Sequence, residues 1–297
     1  MPFRKGIFIL YLMPAKTHEN NWTEIIRPQK SLFRINFNEI WRYRDLIVLF
    51  VRRDFVATYK QTILGPLWFV LQPLFSTIIY TIVFGQIARI STDGLPQMLF
   101  YMSGIVCWNY FSSCLLSTSS TFVSNAGIFG KVYFPRLTVP ISSVISNLIK
   151  FAIQFSFLFA FMVIFYFRGA DFHVTKFALL IPFLLILMAG LGLGLGIIIS
   201  SLTTKYRDLT NLLGFGVQLW MYATPVIYPV SGLPERFQFL ITLNPVTSIV
   251  EAFRYGMLGA GTVSYPHLVY TSCFTLAMLC FGVILFNRVE KTFMDTV

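Results

Sequence analysis

Six stretches of this chain, residues 67–88, 98–120, 141–167, 177–200, 209–228 and 266–286, contain no Asp or Glu and a single Lys, Lys150. Each is close to the roughly 20 residues that an α-helix needs to cross about 30 Å of hydrocarbon, where no water can satisfy the peptide groups. A chain patterned this way folds as an all-α polytopic membrane protein with six transmembrane helices. Charged residues make up only 12%, against about a quarter in soluble domains. The net charge of +11 raises nucleic-acid binding, but the basic residues lie outside the apolar runs and follow no nucleic-acid motif.

Six spans put both termini on one side. If that side is the cytoplasm, seventeen Lys and Arg fall in inside segments, eleven of them before residue 66. Five fall outside, at Arg89, Arg168, Lys176, Arg236 and Arg254. The positive-inside rule therefore predicts cytoplasmic termini. Lys150 lies near the cytoplasmic end of the third span, where it is expected to snorkel toward the headgroups.

Residues 1–35 read as a cytoplasmic arm. Arg4, Lys5 and the short run Ile7 to Met13 mimic a signal peptide, but Pro14, Lys16 and a polar tail stand where a small-residue cleavage site belongs. A start at Met13 is an alternative. Residues 36–65 are expected to form an amphipathic interface helix on the inner leaflet, with Asn36 as its cap and Glu39 completing a capping box. Ile40, Tyr43, Ile47, Phe50 and Val51 recur at helical spacing, and Arg42, Asp45, Arg52, Arg53 and Asp54 take the other side. Gly65-Pro66 ends this segment, and residues 66–297 form the membrane domain.

Two connections are too decorated to be plain turns. The cytoplasmic loop 122–140 contains Gly130-Lys131, a near miss to a phosphate loop that lacks the glycine at Asn125 and the Ser or Thr at Val132. No nucleotide site is expected in the chain. The stretch 225–261 carries Pro225, Pro229, Pro234 and Pro245 among apolar residues, which predicts two half-length elements dipping back from the outer side as a re-entrant gate. Within the fourth span, Gly190, Gly192, Gly194 and Gly196 give paired G-x-x-x-G spacings suited to close helix packing in lipid.

The segment R-D-F-V-A-T-Y-K-Q-T-I-L-G-P-L-W, from Arg53 to Trp68, resembles the signature of the permease subunits of polysaccharide-exporting ABC transporters, the O-antigen, capsule and teichoic-acid type. Lys131, Tyr133, Phe134, Pro135 and Arg136 match that family's K-x-Y-F-P-R coupling loop. P-V-I-Y-P, N-P and R-Y-G match its gate through Pro225, Tyr228, Pro229, Asn244, Pro245, Arg254 and Gly256. The resemblance runs from about Trp22 to the end. It implies a non-enzymatic permease in the bacterial cytoplasmic membrane, working as a homodimer with two ABC ATPase subunits that bind the ATP and Mg, and moving a lipid-linked polysaccharide. Closure of the ATPases would push on the coupling loop and the amphipathic helix, shift spans one and five and part the gate. Arg52, Arg53, Tyr59, Lys60, Gln61 and Gly65 would form the lipid's access and interface region.

The spans are otherwise aromatic and weakly polar. Trp68, Gln72, Ser76, Tyr80 and Phe84 recur every four residues in the first, and Asn211, Phe215, Gln218 and Tyr222 do much the same in the fifth. Such side chains usually fill bundle cores, but the resemblance implies that these line the channel. In the second span, packing is expected for Phe100, Tyr101, Trp108 and Tyr110. Cys107, Cys114, Cys273 and Cys280 read as small core residues without metal spacing, and His18, His173 and His267 as surface residues with no metal partner. Spans free of acids argue against ion-coupled carriers and proton relays. The competing readings are a drug or lipid ABC exporter and an integral membrane glycan-processing enzyme.

Overall fold

The computed structural model describes residues 37–292, apart from Gln61 and Arg207. The arm, the expected Asn36 cap, the Tyr59 side chain and Gln61 lie outside the described residues. Among the described residues, five helices are long and apolar enough to cross a membrane, Gly65–Ile87, Gln97–Ser119, Thr138–Phe167, Lys176–Thr203 and Tyr265–Glu290. They coincide with the first four predicted spans and the last. The remaining run, 209–228, forms only a 14-residue helix, Leu209–Tyr222, which covers about 21 Å at 1.5 Å per residue. It stops short because Pro225 cannot continue a helix and the chain turns there.

The expected 36–65 helix is divided. α1 (Phe37–Arg42) and α2 (Arg44–Tyr59) are separated at Tyr43, and helix is lost after Tyr59. Gly65 then turns the chain at φ +50°, a conformation that suits glycine. The first span enters through a short 3₁₀ turn, continues as α3 (Trp68–Tyr80) and leaves through a π-helical turn, Thr81–Ile87. After it come α4 (Gln97–Ser119), the short α5 (Thr121–Phe129), α6 (Thr138–Phe167), α7 (Ile181–Thr203) and α8 (Leu209–Tyr222). The chain closes with α9 (Glu235–Thr242), α10 (Pro245–Leu258) and α11 (Tyr265–Thr292).

α4 is the hub, with Phe100, Tyr101, Trp108 and Tyr110 all buried in its packing. Lipid tails are as apolar as leucine, so helices associate there through close van der Waals contact rather than water exclusion. The glycines of α7 supply that contact in two directions. A Cβ on Gly192 would fall 2.8 Å from Cys114 Cβ and one on Gly196 2.6 Å from Thr118 Cβ, both on α4. A Cβ on Gly194 would lie 2.9 Å from the Leu279 nitrogen, and one on Gly190 2.9 Å from Thr275 Cγ2, both on α11. Each G-x-x-x-G pair thus serves its own neighbour.

Only two of the four cysteines are in the core. Cys107 and Cys114 are buried in α4, whereas Cys273 and Cys280 are exposed on α11, which buries only the side that meets α7 and α10. Lys150 donates to Asn147 Oδ1 at 3.1 Å, and Asn147 donates in turn to Ser117 at 2.9 Å, so its ammonium is held by a polar chain between α6 and α4.

Candidate functional site

At the end of the bundle that holds α2 and the loop 122–140, a second hydrophobic core gathers Phe50, Phe122, Phe129, Phe134, Val139, Ile197 and Phe286. Of the predicted stripe, Phe50 and Tyr43 pack in this core, joined by Leu46, with Phe50 5.7 Å from the Phe134 ring, while Trp41, Val48 and Leu49 point outward. The K-x-Y-F-P-R motif therefore splits by direction. Lys131, Val132 and Tyr133 project outward, and Phe134 is buried. Pro135 is half-buried.

Arg136 turns inward as well. Its Nη1 donates to the Glu290 carbonyl at 2.8 Å, its Nε lies 3.7 Å from Glu290 Oε1, and it sits 5.5 Å from the Phe129 ring centre. Burial pulls the guanidinium below arginine's ordinary pKa and Glu290 pushes it back up, so it remains charged. On α2, Arg53 pairs with Asp54 at 2.8 Å and lies 4.6 Å from the Phe50 ring centre, leaving Arg52 and Lys60 exposed.

The two predicted stripes differ. Spacings of four drift about 40° per step around an α-helix, so the α3 stripe winds from an open face to a packed one. Trp68 and Gln72 are exposed, whereas Ser76, Tyr80 and Phe84 are half-buried. Tyr80 lies edge-on to Tyr101 at 6.4 Å, and its hydroxyl is 3.7 Å from the Met221 sulfur. The open face of α3 continues instead through Phe75, Ile79 and Ile82. On α8, the alternating 4-3-4 spacing keeps Asn211, Phe215, Gln218 and Tyr222 together on one exposed face.

The segment 225–261 is built around α10. Asn244 caps it by accepting from Val246 N–H at 3.1 Å, Pro245 takes the first-turn position, and Gly259 ends it at φ +78°. The Asn244 amide also donates to Thr224 Oγ1 at 2.9 Å and to Ala223 O at 3.2 Å, tying α10 to the end of α8. Tyr228 donates to Tyr222 O at 3.0 Å, and Pro225 and Pro229 are buried. A Cβ on Gly256 would meet the Ala178 nitrogen at 3.1 Å.

Arg254 is 1% exposed and holds four groups at once. Its Nη1 donates to Glu251 Oε1 at 3.0 Å, its Nη2 to Pro225 O at 2.9 Å and Val226 O at 3.4 Å, and its guanidinium carbon lies 3.8 Å from the Phe100 ring centre. The other Glu251 oxygen accepts from Thr262 N–H at 3.0 Å. Glu251 lies outside the six acid-free runs and carries no motif. Its spacing of three from Arg254, the two charges of α10, is the signal in the sequence for this pair.

Residues 45–258 match the model of the ABC-2 type transporter family. The chain belongs to this family. The O-antigen export system permease protein RfbA of Klebsiella pneumoniae is 29% identical over 252 residues, covering 84% of this chain and 94% of that one. The polysialic acid transport protein KpsM of Escherichia coli is 23% identical over 245 residues, 82% of this chain and 93% of its own. The capsule polysaccharide export inner-membrane protein CtrC of Neisseria meningitidis serogroup B is 23% identical over 274 residues, 88% of this chain and 98% of its own. The ABC-2 match begins in α2 and ends at the last residue of α10, so it takes in the two stripes, Glu251 and Arg254, and the Phe50 core except Phe286 on α11.

Proposed function

We propose that this chain is the channel-forming permease subunit of an ATP-driven exporter that moves a lipid-linked polysaccharide of O-antigen or capsular type across the bacterial cytoplasmic membrane. What carries this reading is the near full-length likeness to permeases named for polysaccharide export, at 94% of the RfbA chain and 98% of CtrC. The two stripes support it. Sugars present apolar CH faces and many hydroxyls, and exposed Trp68, Gln72, Asn211, Phe215, Gln218 and Tyr222 offer rings and amides that hold a moving glycan by many weak contacts.

Two copies face each other so that these stripes enclose the conduit, because one such bundle leaves α3 and α8 open on one side. α8, together with the turn that follows it to Tyr228, makes a sixth crossing and puts both termini in the cytoplasm. α9 and α10 then dip back as the outer gate. Trp41, Val48 and Leu49, with Arg44 and Arg52, set α1 and α2 on the inner leaflet. Two ATPase subunits, which bind the ATP and Mg, dock on Lys131, Val132 and Tyr133. Arg52, Arg53 and Lys60 meet the phosphates of the lipid carrier, with leaflet anchoring as their second role.

The test is export from vesicles holding this chain and its ATPase. ATP-dependent movement of a lipid-linked glycan is expected, and turnover of a glycan by the purified chain alone, or transport of a small drug with no glycan, refutes the proposal.

A further inference from the structure

α11 is gripped at both ends by the parts that have to move. At its cytoplasmic end, Phe286 stacks on Phe122 with ring centres 4.5 Å apart and planes inclined by 27°, so the start of the coupling loop rests on it. The end of the same loop holds it a second time through Arg136, bonded to the Glu290 carbonyl at 2.8 Å. At the outer end, Tyr270 donates to Leu243 O at 3.1 Å and Thr271 to Pro245 O at 3.2 Å, while the Ser248 and Thr271 hydroxyls lie 2.7 Å apart. These contacts seize the start of α10, the gate helix.

Between the two grips the helix is continuous over Tyr265–Thr292, with its one proline, Pro266, in the first turn. Tyr270 and Glu290 are about 30 Å apart along such a rod. α7 braces it by backbone contact, since a Cβ on Gly282 would fall 2.8 Å from Gly194 O. α3 is built differently. It contains Pro73 and runs out into a π-helical turn, two features that weaken its hydrogen-bond ladder and let it bend under an axial load.

We propose that α11 is the connecting rod of the exporter, carrying displacement of the coupling loop to the outer gate with Phe122 and Arg136 as its lower grip and Tyr270 and Thr271 as its upper one. The gate then follows α11, and α3 and α8 reshape around it. The inference rests on the exporter reading above. It assigns Arg136 and Glu290 a positioning role inside the chain, separate from the surface that meets the ATPase.

The test uses this chain assembled with its ATPase in vesicles, with ATP hydrolysis and glycan export read together. Tyr270→Phe with Thr271→Val removes the upper grip far from the ATPase. Export is expected to fall about tenfold while hydrolysis stays within about twofold of the unmodified complex, a coupling change typical of residues along a mechanical link. Export at the unmodified rate overturns the proposal. If that chain does not accumulate, Ser248→Cys with Thr271→Cys decides the matter. Helices that travel together tolerate the oxidised cross-link, so retained export supports the rod, and export blocked by oxidation and restored by reduction overturns it. An unmodified complex without ATP-dependent export overturns the exporter reading and the rod with it.

Discussion

The Arg254 guanidinium carbon lies 3.8 Å from the centre of the Phe100 ring, so a fully buried cation on α10 rests on the aromatic face of the central helix. The same group reaches Glu251 and the Pro225 carbonyl, which makes it the point where α10, α4 and the turn after α8 meet. A charge in so dry a place needs close partners, and here both Nη groups and the ring side are occupied while the buried Nε has no hydrogen-bond partner.

Removing one partner of this pair is therefore expected to cost far more than an exposed ion pair would. Glu251→Ala leaves the guanidinium buried without its counter-charge, at a cost of about 3–5 kcal/mol. Thermal unfolding of the detergent-solubilised protein should show a large loss of stability. Arg254→Lys should fare no better, because one ammonium cannot span both Glu251 and the Pro225 carbonyl in the guanidinium's fork geometry. Unchanged melting of either variant would contradict the cluster's structural role.

Gly194 and Gly127 make a matched comparison. A Cβ on Gly194 would press on the α11 backbone at 2.9 Å, whereas one on Gly127 meets nothing within 4 Å. Gly194→Ala should destabilise by about 1–3 kcal/mol through overpacking. Gly127→Ala should be neutral or gain up to about 1 kcal/mol of helix propensity. Equal melting temperatures for the two variants would mean that the α7–α11 contact is looser than described.

Adjacent residues of the loop 122–140 should separate binding from folding. Tyr133 is 53% exposed and Phe134 5% exposed. Tyr133→Ala should leave stability intact and weaken ATPase association by about 2 kcal/mol, the size of an aromatic hot spot. Phe134→Ala should instead cost about 3–5 kcal/mol of stability by opening a cavity beside Phe50 and Phe129. Affinity measured with the purified ATPase, set beside melting curves, distinguishes the two. An ATPase that binds the Tyr133 variant at full strength removes this residue from the docking surface.

On α8, Phe215 is 60% exposed, so Phe215→Ala costs little packing. Together with Gln218→Ala it should slow glycan export several-fold, since stacking and amide contacts each contribute on the order of 1 kcal/mol. Protein level and ATP hydrolysis should hold. Export rate in vesicles is the measurement, and an unchanged rate would assign this face to lipid.

Several features were legible from local chemistry. Long acid-free runs gave five of the membrane helices at nearly their observed places, because hydrocarbon length and peptide hydrogen bonding leave a single solution. The G-x-x-x-G pairs announced close packing. The fifth run misled on length, since a hydropathy pattern does not register that Pro225 and the Arg254 contact turn the chain after Tyr222.

The α3 stripe shows the same division. Its fours-only spacing fixes where each side chain points on the helix, but which of those directions is occupied depends on α4 and α8. Likewise, Lys131 to Arg136 is one motif in sequence, and only the fold turns Phe134 and Arg136 inward while leaving Tyr133 outside. By itself the sequence determined which segments enter lipid and where their helices begin, because those choices depend on neighbouring residues and the solvent around them. Which face of each helix is open, and that Phe100 and the Pro225 carbonyl close around Arg254, was decided by tertiary structure, because those partners come from separate elements that no local pattern encodes.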